Sequence, residues 1–176
     1  MTEICYYVAQ SLDGFIATPE GGLDWLKPFE ESGEDYGYAP FYAGIEAVLM
    51  GRSTFEVCRA MGDWPYAGKS TWVFSRRSLN ALPPNVLATG ASPVEVVAQL
   101  RASRVRRAWL VGGGELAGAF LAAGLIDKLI VSVMPVALGR GIPIFGDRTA
   151  GAWPLLLERF ERYPDGVVQL GYRAIR

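Results

Sequence analysis

Three short apolar runs in this chain each stop abruptly at a small residue. Ala47-Val48-Leu49-Met50 stops at Gly51-Arg52-Ser53, Thr71-Trp72-Val73-Phe74 at Ser75-Arg76-Arg77, and Ala108-Trp109-Leu110-Val111 at Gly112-Gly113-Gly114. Runs of three or four apolar residues without polar alternation read as buried strands, and buried strands belong to sheets covered on both faces. Helical patterns follow the first and third runs, so the repeating unit is strand then helix. That order predicts an α/β fold with a mostly parallel sheet.

The remaining pattern fits this frame. Ile4 to Ala9 reads as a first buried strand, with Ser11-Leu12-Asp13-Gly14 as a turn after it. Residues 18–37 are rich in Gly, Pro, Glu and Asp and predict loops, with a short helical turn around Trp25. Tyr38 to Ile45 reads as a helix. Ser53 and Glu56 have the spacing of a capping box for a helix through Arg59. Val86 to Ala88 is a short strand. Ser92-Pro93-Val94-Glu95 opens the clearest helix, with Ser92 as cap, Pro93 at the first helical position and Glu95 at the third. A helix from Glu115 to Ala123 ends at Gly124. Asp127 to Val136 is a long apolar strand. Leu155 to Arg162 and Val167 to Ala174 flank Pro164-Asp165-Gly166, a hairpin signal that adds antiparallel strands at one edge. At 176 residues, one domain spanning 1–176 is the expectation.

Composition narrows the chemistry. There is no histidine, which excludes Ser-His and Cys-His nucleophile pairs and His-ligated metal sites. Proton transfer falls to Asp, Glu, Tyr, Lys or water. A net charge of −1 offers no electrostatic footprint for nucleic acid or acidic membranes. Cys5 and Cys58 fit no zinc or redox spacing and read as reduced, buried thiols, which suits the cytoplasm. The start carries no basic leader, and the longest apolar stretch, 108–126, contains three successive glycines and Glu115. No signal peptide and no membrane span are expected.

Ligands of such sheets gather beyond the carboxyl ends of the strands. Glycines there let a phosphate approach the backbone, helix N-termini present N–H groups to it, and arginines grip it with paired hydrogen bonds. Two helix N-termini and an Arg pair match the charge layout of NADPH, a pyrophosphate and one further phosphate. Gly112-x-Gly114-x-x-Ala117 also satisfies a loose dinucleotide fingerprint. Too few residues follow it for the second half of that fold, and no acidic residue stands at the required strand end.

Val48 to Glu56, Val73-Phe74-Ser75-Arg76 and Val111-Gly112-Gly113-Gly114 resemble the ordered motifs of the dihydrofolate reductase fold. Ser11 to Ala17, Asp35-Tyr36-Gly37-Tyr38 and Leu138 to Phe145 resemble its branch containing the reductase domain of bacterial riboflavin biosynthesis. The resemblance implies a mostly parallel mixed sheet flanked by helices with a C-terminal antiparallel hairpin. It also implies NADPH as cofactor and a small heterocyclic substrate, a pteridine or a pyrimidine. Arg52, Ser53 and Thr54 would meet the pyrophosphate from one side, and Gly113, Gly114, Glu115 and Leu116 from the other, with Gly51, Val111 and Gly112 also in the cofactor site. Ser75, Arg76 and Arg77 would hold the 2′-phosphate, and Ala9 and Ile16 would line the nicotinamide. The Gly112-Gly113 peptide would be cis, and residues 10–24 would form a flexible loop closing over the reaction.

Two departures count against a folate substrate: Ala39 stands where that family has Phe, and Lys69 stands near its tail-binding Arg. The absence of histidine and of P-C-x-x-C excludes the zinc deaminase that usually precedes the riboflavin reductase. The expectation is therefore a stand-alone NADPH-dependent reductase. The uracil reductase of the riboflavin pathway and a non-catalytic NADPH-binding module are the alternatives.

Hydride transfer needs little from side chains, because the cofactor supplies the chemistry and the protein the alignment. Asp35 is the candidate for substrate binding or proton delivery, from a partly apolar pocket that would raise its pKa; the other reading is an exposed loop acid. Asp13 either faces substrate or holds its own turn. Tyr36 and Tyr38 either stack on a flat ring or pack the core. Trp25 either covers the pocket or anchors its loop. The apolar strand Leu129 to Ala137 and the aromatic tail suggest a homodimer, as in the riboflavin branch.

Overall fold

The computed structural model describes residues 1–147 and 151–175. Among these residues ten strands form two sheets: β1 (Glu3–Ser11), β2 (Phe15–Ala17), β3 (Ala47–Gly51), β4 (Ser70–Phe74), β5 (Val86–Thr89), β6 (Arg107–Gly112), β7 (Lys128–Met134), β8 (Ile142–Pro143), β9 (Leu155–Arg162) and β10 (Val168–Ala174). The main sheet has the order β5-β4-β3-β6-β1-β7-β10-β9, and β2 pairs with β8 in the small one. The strands β5 to β7 in that order are mutually parallel, while β10 and β9 are antiparallel. The expected sheet, with its hairpin at one edge, is the one observed.

Among the described residues, five α-helices, α1 (Lys27–Glu30), α2 (Tyr38–Ala43), α3 (Arg52–Ala60), α4 (Pro93–Ala102) and α5 (Gly114–Ala122), connect or cover the strands, and a 3-10 turn spans Asp24–Leu26. The side-chain alternation of the strands divides the core. Ile4 and Tyr6 of β1, Ala47 and Leu49 of β3, and Ala108 and Leu110 of β6 pack with α4 and α5 through Val96, Val97, Leu100, Ala117 and Phe120. Cys5, Val48, Met50 and Trp109 face the other way and pack with Phe41 of α2 and Phe55 and Cys58 of α3. This two-sided cover explains why the central strands read as unbroken apolar runs.

The chain runs outward from β3 to β4 and β5, then returns to place β6 between β3 and β1. The helices that follow β3 and β6 therefore lie on opposite faces, with a crevice between the carboxyl ends of those two strands. Open α/β sheets bind ligands at such a reversal.

The helix starts differ in kind. Ser92 and Glu95 form the expected capping box on α4. The box expected on α3 is not formed. The helix begins two residues earlier, at Arg52 instead of Thr54, so Ser53 falls inside it, and Gly51 is its cap residue. Glu56 instead accepts an ion pair from Arg52 at 2.6 Å, one helical turn away. Cys5 and Cys58 are buried free thiols.

Candidate cofactor and substrate cleft

Helices α3 and α5 both start at glycines, Gly51 and Gly113, and neither start carries a side-chain cap. A Cβ built on Gly51 would lie 4.0 Å from the Gly113 nitrogen and from Leu116 Cβ, so the two starts adjoin across the crevice. First-turn N–H groups left without side-chain caps, gathered from two helix dipoles, suit an anion. The Gly112–Gly113 peptide is cis.

A cavity of about 1040 Å³ extends from this point along the strand ends. Its walls include Gly51, Arg52, Ser53 and Thr54 from β3 and α3, and Val111, Gly113, Gly114, Glu115 and Leu116 from β6 and α5. Ser75, Arg76 and Arg77 line it after β4, and Ala9 and Ile16 line it from β1 and β2. One residue of the expected cofactor set stays outside. Gly112 turns inward at φ 111°, where an added Cβ would meet the Tyr6 ring at 3.6 Å.

Within the Ser75–Arg77 turn, the Ser75 hydroxyl donates to the Arg77 carbonyl at 2.7 Å and accepts from the Arg77 N–H at 3.2 Å. It shapes the loop that carries the arginines. Arg76 and Arg77 are exposed on the rim. Arg52 also lines a neighbouring hollow of about 480 Å³, together with Arg59 and Asn80.

The loop opposite is held by polar contacts. The Asp13 carboxylate accepts from the Ser11 hydroxyl at 2.6 Å and from the N–H groups of Leu138 and Gly139 at 3.0 and 2.7 Å. The Ser11 hydrogen bond, followed by the Leu138 N–H, holds its pKa down to about 2. Asp13 thus pins its turn and does not line the cavity. With β2 paired to β8, the start of the 10–24 segment, expected to be flexible, is fastened to the 138–143 stretch. Tyr6 fastens the next stretch by donating its buried hydroxyl to the Ile144 carbonyl at 2.9 Å.

The expected substrate residues take other positions. Asp35 is exposed, and its carboxylate accepts from the Ala39 N–H at 3.0 and 3.2 Å in the first turn of α2. The apolar enclosure expected around it is absent, and it lies outside the cavity wall. Tyr36 stands edge-on to Tyr163, with ring centroids 5.0 Å apart, and its hydroxyl contacts Ser32 and Asp165. Tyr38 stacks on Tyr42 at 5.5 Å. Trp25 packs with Phe29, Met134, Tyr163 and Val167, which makes it a loop anchor. Polar residues of a Gly-rich loop cannot be assigned to a site without knowing which side the loop presents, and here their partners are structural, within the loop and on the neighbouring 138–139 and 163–167 segments.

The cavity also has walls that sequence reasoning missed. Thr89, Gly90, Ala91 and Pro93 line it where β5 meets α4. That strand end had the signal already used for the other three, a small residue between a strand and a helix start. Ala119 lines it three residues after Leu116, the spacing of one helix face. Tyr7, Val8, Ala17, Leu23 and Leu26 form an apolar end that no local pattern announces. Burial pushes the Tyr7 pKa up to about 12, and the hydroxyl donates to the Tyr36 carbonyl at 2.8 Å. Gln169 and Ser132, both buried, complete that network, with Gln169 Nε2 3.0 Å from Ser132 Oγ.

Among known families, the one described as the RibD C-terminal domain matches residues 2–169. An uncharacterized protein of Bacillus subtilis, YwjB, is 37% identical over 144 residues, covering 81% of this chain and 82% of its own. A protein of Shewanella sp. PV-4, solved as a candidate riboflavin biosynthesis protein, superposes with a TM-score of 0.87 at 28% identity over the whole of both chains. A Thermotoga maritima deaminase and 5-amino-6-(5-phosphoribosylamino)uracil reductase superposes with a TM-score of 0.74 over 99% of this chain and 57% of its own. At 17% identity, that last likeness speaks for the fold.

Proposed function

Since the chain belongs to the RibD C-terminal domain family, we propose that it is a reductase that uses NADPH to reduce a small, flat nitrogen heterocycle. The observation that carries this reading is the convergence of separate strand-end motifs on one cavity. Two adjoining helix starts without side-chain caps supply an anion cradle, and an exposed arginine pair stands on the rim. The cavity is also large enough for a dinucleotide and a small second ring.

In this reading the α3 and α5 starts hold the pyrophosphate through backbone N–H groups. Gly51 and Gly113 keep Cβ atoms out of that space. Arg76 and Arg77 grip the 2′-phosphate, oriented by the Ser75 turn. Ala9 and Ile16 flank the nicotinamide. Tyr7, Leu23 and Leu26 form the apolar floor against which the substrate ring is aligned and from which water is excluded. When bound, NADPH supplies the hydride. Protonation comes from water, because the Tyr7 proton is committed to the Tyr36 carbonyl and Asp35 faces solvent. The same reading takes residues 1–176 as one reductase domain acting in the cytoplasm, where Cys5 and Cys58 stay reduced.

The family, and the name of the Shewanella relative, favour a second reading, the uracil reductase of the riboflavin pathway. The arginines lining the cavity, Arg52, Arg76 and Arg77, belong to its cofactor part. The apolar end therefore suits an uncharged ring better than a phosphoribosyl one.

Titration with NADPH and NADH, followed by Trp fluorescence, tests the cofactor. Arg76→Ala is expected to weaken NADPH at least about tenfold, the effect of losing a charge-assisted phosphate contact, and to leave NADH nearly unchanged. Equal loss for both overturns the role of Arg76, and no NADPH binding by the parent chain overturns the reading. NADPH oxidation across pteridines and aminouracils, with and without a phosphoribosyl group, then separates the substrates. Binding without turnover on that panel identifies a non-catalytic module.

A further inference from the structure

Strand β7, the core of the apolar run on which a homodimer was expected, lies inside the main sheet between β1 and β10, with Leu129 and Val131 buried. It nevertheless carries a buried polar side chain, Ser132. Ser132 pairs with Ala9 of β1 on one side and with Gln169 of β10 on the other. Register partners on neighbouring strands point to the same face, as do residues two apart on one strand. Tyr7, Ala9, Ser132 and Gln169 therefore share one face. The row starts at the cavity wall, with Tyr7 and Ala9, and ends in the interior, with Gln169.

A buried amide costs free energy unless its hydrogen bonds are made, and an apolar side chain would fill the same place without that cost. The Gln169 amide is placed to make them. Its Nε2 lies 2.8 Å from the Tyr36 carbonyl oxygen, 3.0 Å from Ser132 Oγ and 3.2 Å from the Tyr7 hydroxyl oxygen. Two protons serve these three acceptors, one for the carbonyl and one for the pair of hydroxyls. The Tyr7 hydroxyl donates to the same Tyr36 carbonyl at 2.8 Å. That carbonyl belongs to a residue at φ 52°. Non-glycine residues seldom occupy this left-handed region, and they stay there where surrounding contacts over-determine the backbone. Gln169 and Tyr7 supply two such contacts, from β10 and β1. The Tyr7 ring is fixed at its other end by Phe41, edge-on with centroids 4.7 Å apart. Gln169 itself does not line the cavity, whereas Tyr7 does.

We propose that Gln169 is a positioning residue for the substrate end of the cavity. It acts through Tyr7, holding that ring at the wall and its proton on the Tyr36 carbonyl, so that the heterocycle meets a fixed apolar surface. This rests on the reductase reading of the cavity. The cofactor part, made by the α3 and α5 starts and the Ser75–Arg77 turn, shares no residue with the network. Heterocycle binding therefore depends on Gln169, and cofactor binding does not.

Calorimetric titration of the full chain tests this, first with NADP+ and then, on the NADP+-loaded chain, with 6,7-dimethylpterin and 5,6-diaminouracil. Gln169→Met keeps the length and burial of the side chain and removes its donors. It is expected to weaken the heterocycle that binds at least about tenfold, the effect of releasing a wall held by buried hydrogen bonds, and to leave NADP+ unchanged. Tyr7→Phe keeps the ring and removes the hydroxyl, and is expected to do the same. The double variant should be no weaker than the weaker single one, because both changes release the same ring. In turnover the loss is expected in KM, with kcat within about threefold. Urea melts confirm that each variant folds, and Tyr7→Phe carries the test should Gln169→Met not fold. Unchanged heterocycle binding, additive losses in the double variant, or an equal loss for NADP+ overturns the positioning role. A parent chain that binds NADP+ and neither heterocycle overturns it as well. A parent chain that binds no NADP+ overturns the reductase reading itself.

Discussion

At the scale of single residues, side chains that resemble catalytic groups turn out to be fasteners. Asp13 accepts three hydrogen bonds that tie the first turn to residues 138–139, and those bonds depress its pKa. A depressed carboxylate stabilises the fold above its unfolded pKa of about 4, and that contribution fades as pH falls toward about 2. Asp13→Asn is therefore expected to be less stable than the parent chain at pH near 6. The gap should close on acidification, as urea melts at both pH values would show. A gap that persists at low pH would separate the effect from the charge. Gly114 illustrates a different constraint. An added Cβ would run into the Pro143 carbonyl oxygen and lie 2.9 Å from the Gly146 nitrogen, both backbone atoms. Gly114→Ala should cost about 1–3 kcal/mol by overpacking and, on the proposed reading, weaken NADPH, since the α5 start must shift. A thermal melt paired with a cofactor titration checks both.

At the scale of elements, the way a helix begins separates architecture from binding. The α4 start is satisfied by Ser92 and Glu95, whereas α3 and α5 begin at glycine and leave their first-turn N–H groups without side-chain caps. Loss of a serving cap costs about 1 kcal/mol. Ser92→Ala should lower the unfolding free energy by that amount, readable in a urea melt. Ser53→Ala, inside its helix, should show no such cap effect. The misreading of Ser53 has a simple cause. A capping box is a spacing of residue types, and that spacing cannot say where the preceding strand releases the chain. Here β3 continues through Gly51, so the helix starts before Ser53 can cap it.

At the scale of the molecule, the reversal of strand order between β3 and β6 creates the crevice, and the outer position of β9 exposes an edge. Much of this fold was legible beforehand. Apolar runs at Ala47–Met50 and Ala108–Val111, the Ser92 box and the Pro164-Asp165-Gly166 turn are local signals whose physical causes lie within a few residues. The cavity wall at the strand ends was legible for the same reason, because a glycine or arginine at a strand end faces the same edge of a parallel sheet whatever the strand order. The apolar end of the cavity was not legible. Tyr7, Leu23 and Leu26 meet there only because β1 lies at the centre of the sheet and the loop after it folds back, and Asp35, Tyr36 and Tyr38 are turned toward other partners. The sequence by itself determined the central strands, the capped start of α4 and the residue types along the carboxyl edge, all set by short-range propensity and pattern. Tertiary structure alone decided which side chains face the cavity and which strand is left at the edge, because both depend on the order in which distant segments pair.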